Sequence, residues 1–323
     1  MTGFGRRQVL EGAALTFAAT ALPRGLLAAE RHIPQRPSCR IIADNDYAGD
    51  PDGLVALAHQ LLTPKARCVL ITSSALDPKL AGEVPAGTSA RAGAEIADEL
   101  VRRLCLPRTL IAAGAEQPGN LQGTAAARAI VAEAMRDDPL PLIFTCGGPL
   151  TNLAAALELE PAIATRMSVI WIGGGGYPDG GWEYNLATDI QAARKVLGHP
   201  RLAIRQVPQP AYRQMQMSVA EMRARMRPIS PAAAWLYERF TSPPDFVDIG
   251  GAWPWGDTPT VLLGSVSSES SSFERQPARW IEDDCRYGKA IPGRTIEVAT
   301  RLDSRLAIED FLALLAVNAS SAP

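Results

Sequence analysis

The sequence has no basic tract. Its 32 Lys and Arg are scattered against 34 Asp and Glu, for a net charge of -2, which argues against a nucleic-acid or polyphosphate partner. Cysteines are few, at 39, 68, 105, 146 and 285: an odd number, widely spaced, with no Cys-x-x-Cys pair. That excludes a zinc ribbon and a dense disulfide framework, while one disulfide stays compatible with an oxidising compartment. Cys68 and Cys146 fall in apolar strand-like runs and read as small buried hydrophobes. Gly173-Gly174-Gly175-Gly176 is glycine-rich, yet no Gly-x-x-x-x-Gly-Lys or strand-borne Gly-x-Gly-x-x-Gly accompanies it, so a nucleotide-phosphate loop is not indicated. Aromatic residues make up only 6%, and two of them, Trp253 and Trp255, sit together in a Pro- and Gly-rich stretch that invites a question about ligands.

No apolar run reaches the roughly 20 residues needed to cross a bilayer. The longest, Ala13 to Leu22, follows Arg6-Arg7 and precedes a small-residue cleavage site at Leu27-Ala28-Ala29. This order predicts a twin-arginine export signal over residues 1–29, with no permanent membrane anchor and delivery to the periplasm or outside the cell. The working domain is then 30–323, long enough to bury a large core.

Short apolar runs alternate with longer amphipathic ones. Arg40–Ala43, Cys68–Thr72, Thr109–Ala112, Leu142–Cys146, Ser168–Ile172 and Leu202–Val207 read as strands. Leu54–Leu62, Ala90–Leu104, Thr124–Met135, Thr151–Leu159 and Asp189–Leu197, with apolar residues three and four apart, read as helices. The alternation predicts an α/β fold: an open, mostly parallel, Rossmann-like sheet flanked by helices on both faces. Beyond residue 208 the rhythm changes, with helices at Ser218–Met226 and Ala232–Phe240 and a loop-rich stretch over Thr241–Thr258. A strand pair near Ser272–Asp283 and Arg294–Leu302 and a final helix at Ile308–Ala316 complete a C-terminal helical and β addition. Such sheets bind ligands beyond the carboxyl ends of their strands, so the chemistry is sought there.

Four carboxylates follow the first strand within nine residues, at Asp44, Asp46, Asp50 and Asp52. Helix capping beside Pro51 explains one of them, two at a stretch. Four at that density repel one another unless a cation intervenes, and a hard divalent ion with oxygen ligands is the natural partner. Three later segments carry polar groups just past strand runs: Thr145-Cys146-Gly147-Gly148-Pro149-Leu150-Thr151-Asn152, then Trp182-Glu183-Tyr184-Asn185 with Asp189 beyond, then Trp253-Pro254-Trp255-Gly256-Asp257-Thr258. Glu183 and Asn185, two apart on what reads as an extended segment, would point to the same side. Each segment alone is modest, a turn with a helix cap or a solvent-facing loop.

Together and in this order, the four segments resemble the nucleoside hydrolase family over about residues 40–315. The acidic stretch is similar to the family's Asp-x-Asp-Pro-Gly-x-Asp-Asp motif. The resemblance implies a calcium-dependent N-glycoside hydrolase acting on a small-molecule ribonucleoside or related N-ribosyl compound. It casts Asp46 as calcium ligand and general base, the Gly147 carbonyl and Asp257 as further ligands, and Glu183 and Asn185 as contacts to the ribose hydroxyls. Counting forward from Asp46 puts Asp50 at the first aspartate of the closing pair. Aligning the following helix puts Asp52 there instead, and Gly53 where a ligand belongs. One of Asp50 and Asp52 then takes the metal and the other the ribose; the working assignment gives Asp52 the metal. Trp182 and Trp255 are candidates, with Trp253, for stacking on the base, and Ser74 or Asp77 stands where the family has Asn after the second strand. Gly256 occupies the place of the family's histidine, and none of His32, His59 and His199 lies near a motif, so protonation of the leaving base needs another source.

The rival readings are a non-catalytic periplasmic nucleoside- or ribose-binding protein and an aspartate-nucleophile phosphatase suggested by Asp44-x-Asp46. Against the phosphatase, Ala48 stands where Thr or Val is usual. The sequence leaves room for a homo-oligomer.

Overall fold

Among the described residues, eight strands form one sheet in the order Leu110–Ala113, Ala66–Ser73, Cys39–Asn45, Leu142–Cys146, Met167–Ile172, Ala203–Val207, Tyr287–Arg301, Ser272–Ile281. In this computed structural model the described residues are 35–49, 51–78, 82, 84–243 and 250–321. The export segment at 1–29 and Asp50 lie outside them.

β1 (Cys39–Asn45), β2 (Ala66–Ser73), β3 (Leu110–Ala113), β4 (Leu142–Cys146), β5 (Met167–Ile172) and β6 (Ala203–Val207) are all parallel. Between them run α1 (Pro51–Leu62), α2 (Ser89–Arg103), α3 (Ala125–Met135), α4 (Thr151–Leu159), α5 (Tyr184–Thr188) and α6 (Ile190–Gly198). All six strand runs and five helical runs read from the sequence are present, with ends shifted by three residues at most. Local chemistry sets several boundaries: Thr124 caps α3 through Ala127 N, Asp189 caps α6 through Ala192 N, and Pro51 opens α1.

β1 is buried along its whole length, as a strand covered on both faces must be. Ile41 contributes to one apolar layer, with α1, α2 and the C-terminal helix Ser304–Ser321. Ile42 contributes to the other, with α3, α4 and α6. Fully burying side chains such as Ile41, Ile42, Leu70, Ile71 and Phe144 stabilises the fold by roughly 1.5–3 kcal/mol apiece.

The C-terminal helical and β addition is present, with its strand pair joined to the main sheet and its final helix at Ser304–Ser321. A small two-stranded antiparallel sheet pairs β7 (Gln216–Ser218) with β8 (Ala252–Pro254), and β8 lies inside the stretch expected to be loop-rich. β9 (Ser272–Ile281) pairs antiparallel with β10 (Tyr287–Arg301), and β10 pairs parallel with β6, so the hairpin extends the main sheet itself. The helix expected over Ser218–Met226 is present: Ser218 caps an α-helical turn at Val219–Glu221 that continues as a π-helix over Met222–Met226. Residues Gln35–Pro323 make one compact unit. All five cysteines are free thiols, with Cys146 buried and Cys68 half-buried. No helix among the described residues is long and apolar enough to cross a membrane.

Strand order reverses between β1 and β4: β2 and β3 extend one way from β1, while β4, β5 and β6 extend the other. The loops after β1 and β4 therefore diverge and leave a crevice at the carboxyl end of the sheet, where such folds bind ligands. Below it, Trp255 is fully buried, edge-on to Phe311 at 5.6 Å and tilted against Phe240 at 6.2 Å. Phe311→Ala should cost about 3–5 kcal/mol in a denaturant titration, because a dry cavity would open beneath Trp255 and His59.

Candidate active site

The site is built around the last residues of β1. In the parallel ladders Asp44 is in register with Thr72 on β2 and Cys146 on β4, so all three side chains meet on one face. Thr72 Oγ1 donates to Asp44 Oδ2 at 2.5 Å, and Asn152 Nδ2, from the first turn of α4, donates to the same oxygen at 2.7 Å. Burial raises the Asp44 pKa to about 6 despite these donors. Asp44 is thus a clamped carboxyl at the back of the site.

The next residue faces the opposite way. Asn45 Oδ1 accepts from Asp46 N at 2.8 Å, and Asn45 Nδ2 donates to Asp257 Oδ2 at 2.7 Å, joining positions 212 residues apart. Its amide is gripped between two glycines. A β-carbon on Gly53 would lie 2.6 Å from Asn45 Nδ2, and one on Gly147 would lie 2.3 Å from both Asn45 Nδ2 and Asp257 Oδ2. Neither position has room for a side chain.

Asp46, Asp52 and Asp257 are all buried, and Asp257 N donates to Asp52 Oδ2 at 3.0 Å. Beneath them Gln60 Nε2, from α1, donates to Thr145 Oγ1 at 2.9 Å and to Thr260 Oγ1 at 3.3 Å. Thr260 Oγ1 in turn donates to Asp257 O at 2.7 Å.

Glu183 and Asn185 come from the loop after β5. Glu183 keeps the extended backbone expected of it, with φ -145° and ψ 145°, but it is the N-cap of α5, and Asn185 lies within that helix instead of on the same extended segment. Glu183 Oε2 accepts from Gly174 N at 2.7 Å and Leu186 N at 3.0 Å, and Oε1 accepts from Tyr212 Oη at 3.2 Å. Burial nevertheless raises the Glu183 pKa. Asn185 Nδ2 donates to Gly147 O at 2.8 Å and Ile172 O at 3.0 Å, while its Oδ1 is buried with no hydrogen-bond partner. Both side chains reach the crevice despite the change of backbone, and each keeps acceptor capacity suited to a hydroxyl donor.

The model of the inosine-uridine preferring nucleoside hydrolases matches this chain over residues 41–246. The chain belongs to that family. It is accordingly a hydrolase of N-glycosyl bonds. Solved nucleoside hydrolases share its fold. A purine-preferring ribonucleoside hydrolase from Gardnerella vaginalis superposes with a TM-score of 0.66 at 16% identity, over 88% of this chain and 100% of its own. A plant nucleoside hydrolase gives 0.65 at 19% identity over 88% and 100%, and an inosine-uridine preferring nucleoside hydrolase from Bacillus anthracis gives 0.65 at 15% over 86% and 99%. No curated protein matches the sequence.

Within this nucleoside hydrolase, Asp46, Asp52, Gly147, Glu183, Asn185 and Asp257 lie at the crevice, and Trp182 stands 63% exposed ahead of α5. Trp255 corrects the sequence expectation: it is fully buried between Phe240 and Phe311 and cannot stack on a base. Among the described residues no three Asp, Glu, His or Cys side chains form a cation cage by themselves. Two expected ligand atoms, Asp257 Oδ2 and Gly147 O, accept amide hydrogens from Asn45 and Asn185. The donor chemistry still fits a hard cation: buried carboxylates and a carbonyl, brought close by a glycine whose β-carbon would strike Asp257.

Sequence reasoning overlooked Asn45, Gln60, Thr72 and Tyr212. Asn45 stands inside the acidic motif, and the missing side chain at Gly53 is the trace its amide leaves in the sequence. Gly147→Ala should fold but lose about 100-fold in base release, since its new methyl would displace Asn45 and Asp257 together. Thermal melting beside a hydrolysis assay separates the two effects.

Proposed function

We propose that this nucleoside hydrolase cleaves the N-glycosidic bond of a ribonucleoside or related N-ribosyl compound with the aid of calcium, releasing free base and ribose. The observation that carries this reading is that Asp257 meets Asp52 and closes on Gly147 at the strand ends, where buried Asp46 follows β1 and Asn185 bonds to the Gly147 carbonyl. Asp46, Asp52, Asp257 and the Gly147 carbonyl would hold the ion, with the amides of Asn45 and Asn185 giving way at the two shared oxygens. When bound, calcium supplies a fixed positive charge that screens the carboxylates from one another and modestly lowers the pKa of an adjacent water.

Asp46, fully buried at the end of β1, takes the proton of the water that attacks C1′. Glu183 and Asn185 accept hydrogen bonds from the ribose hydroxyls and hold the ring in line for attack. Asp50 is assigned to the same hydroxyls, and exposed Trp182 offers a face to the planar base. Carboxylates close to the ring favour the oxocarbenium-like transition state that glycoside cleavage requires.

Asp46→Ala should lower turnover about 100- to 10,000-fold with an unchanged melting curve. Chelation should silence the wild type, and added Ca²⁺ should restore it. Calorimetric binding of inosine, uridine or adenosine with no free base produced would instead establish a binding protein. Residues 1–29 are proposed to direct twin-arginine export, on the strength of Arg6-Arg7, the Ala13–Leu22 run and Ala29. Cell fractionation with Arg6 and Arg7 changed to Lys tests it, and an undisturbed periplasmic pool would reject it.

A further inference from the structure

A purine or pyrimidine that departs as an anion is a poor leaving group, so cleavage at neutral pH calls for a proton donor beside the base. Histidine is the usual donor, but none is at hand among the described residues. His59 is fully buried in α1, with Nε2 2.8 Å from Asp310 Oδ2. His199 follows α6, where its Nδ1 accepts from Arg201 N at 3.3 Å, ahead of the amino end of β6. The hydroxyls of Ser74 and Thr258 are buried alcohols, weaker acids than a phenol.

We propose that Tyr212 is the proton donor to the departing base. Tyr212 ends the short helix Gln209–Tyr212 that follows β6, at the same end of the sheet as the acidic residues. Two contacts locate it. Its O–H donates to Glu183 Oε1 at 3.2 Å, which puts the phenol beside the carboxylate assigned to the sugar. Its ring flanks Gly256: a β-carbon there would be 3.1 Å from Tyr212 Cδ2 and 3.0 Å from Asp52 Oδ2. The phenol therefore fills the space beside Asp52 that a side chain at 256 would need. Tyr212 is half-buried. Burial and the Glu183 charge hold its pKa above the usual phenol value, so it reaches the reaction protonated, as a donor and not a base.

The step balances without any further reagent. The C1′–N bond breaks and its electron pair stays on the base nitrogen, which takes the phenolic proton. The water oxygen bonds to C1′ and its proton goes to Asp46. Exchange with solvent then returns a proton to Tyr212 and removes one from Asp46, so nucleoside and water give base and ribose.

This assignment rests on the N-glycoside reading, and the test separates the two. Wild type and Tyr212→Phe are assayed on the fastest nucleoside among inosine, uridine and adenosine, and on p-nitrophenyl β-D-ribofuranoside, whose p-nitrophenolate leaves without protonation. The expected result is a loss of about 100-fold or more on the nucleoside, with the p-nitrophenyl riboside within about threefold of wild type. Retained activity on the second substrate is also the control for folding. An equal loss on both substrates would make Tyr212 a positioning residue for Glu183, and no loss on either would remove it from the reaction; both overturn the proposal. If the wild type cleaves none of the nucleosides, the N-glycoside reading falls and the donor assignment with it, whether or not the p-nitrophenyl riboside is cleaved; an unequal outcome of Tyr212→Phe on an active wild type tests the donor assignment alone.

Discussion

Gathering carboxylates at the dry end of a parallel sheet is costly, because an ionised group removed from water must recover its lost hydrogen bonds from the protein. Here the recovery depends on amides and backbone N–H groups. Asp44 is held by Thr72 and Asn152, Glu183 by the N–H groups of Gly174 and Leu186, and Asp52 by the N–H of Asp257. Asn45 is the joint between them, since one amide grips both the backbone of Asp46 and the side chain of Asp257. Gly53 and Gly147 clear its flanks, and the Gln60–Thr145–Thr260 network fixes the floor beneath.

These bonds also explain how the site combines rigidity with reserve. A carboxylate whose hydrogen bonds come from a neighbouring backbone turn keeps its place without a positive partner, so its charge stays available to whatever enters the crevice. None of the ion pairs seen among the described residues uses Asp44 or Glu183. Arg40 bonds instead to Glu133 at the opposite, amino end of β1. Cations thus brace the far end of the sheet while the carboxyl end collects negative charge. That separation follows from the strand direction, with Arg40 near the start of β1 and Asp44 near its close.

Much of this was legible in the chain, because it depends on short-range pattern. Fully buried strands announce themselves as apolar runs, and polar groups directly after them mark the ligand end of an open sheet. What stayed hidden depends on partners far away in sequence. Trp255 reads as a loop aromatic until Phe311, from the last helix, is laid against it. The pairing of β10 with β6 leaves no local mark, since two parallel strands share no turn. Asn185 looked extended because five residues of α5 are too few to show a helical period, while the carboxylate of Glu183 supplies the cap that starts that helix.

The fold is shared with solved neighbours at 15–19% identity, so the acidic end of β1 is to be understood from its own contacts. Successive residues in a helix project about 100° apart, so moving a carboxylate along the first turn of α1 changes which neighbours it meets. Asp52 meets Asp257 N, and the following position then faces Asn45, where any β-carbon would intrude on the amide. Glycine at 53 leaves the room in which the Asn45 amide reaches Asp257. The constraint on this site is thus how its buried oxygens are satisfied, and here a residue without a side chain makes the space for the donor.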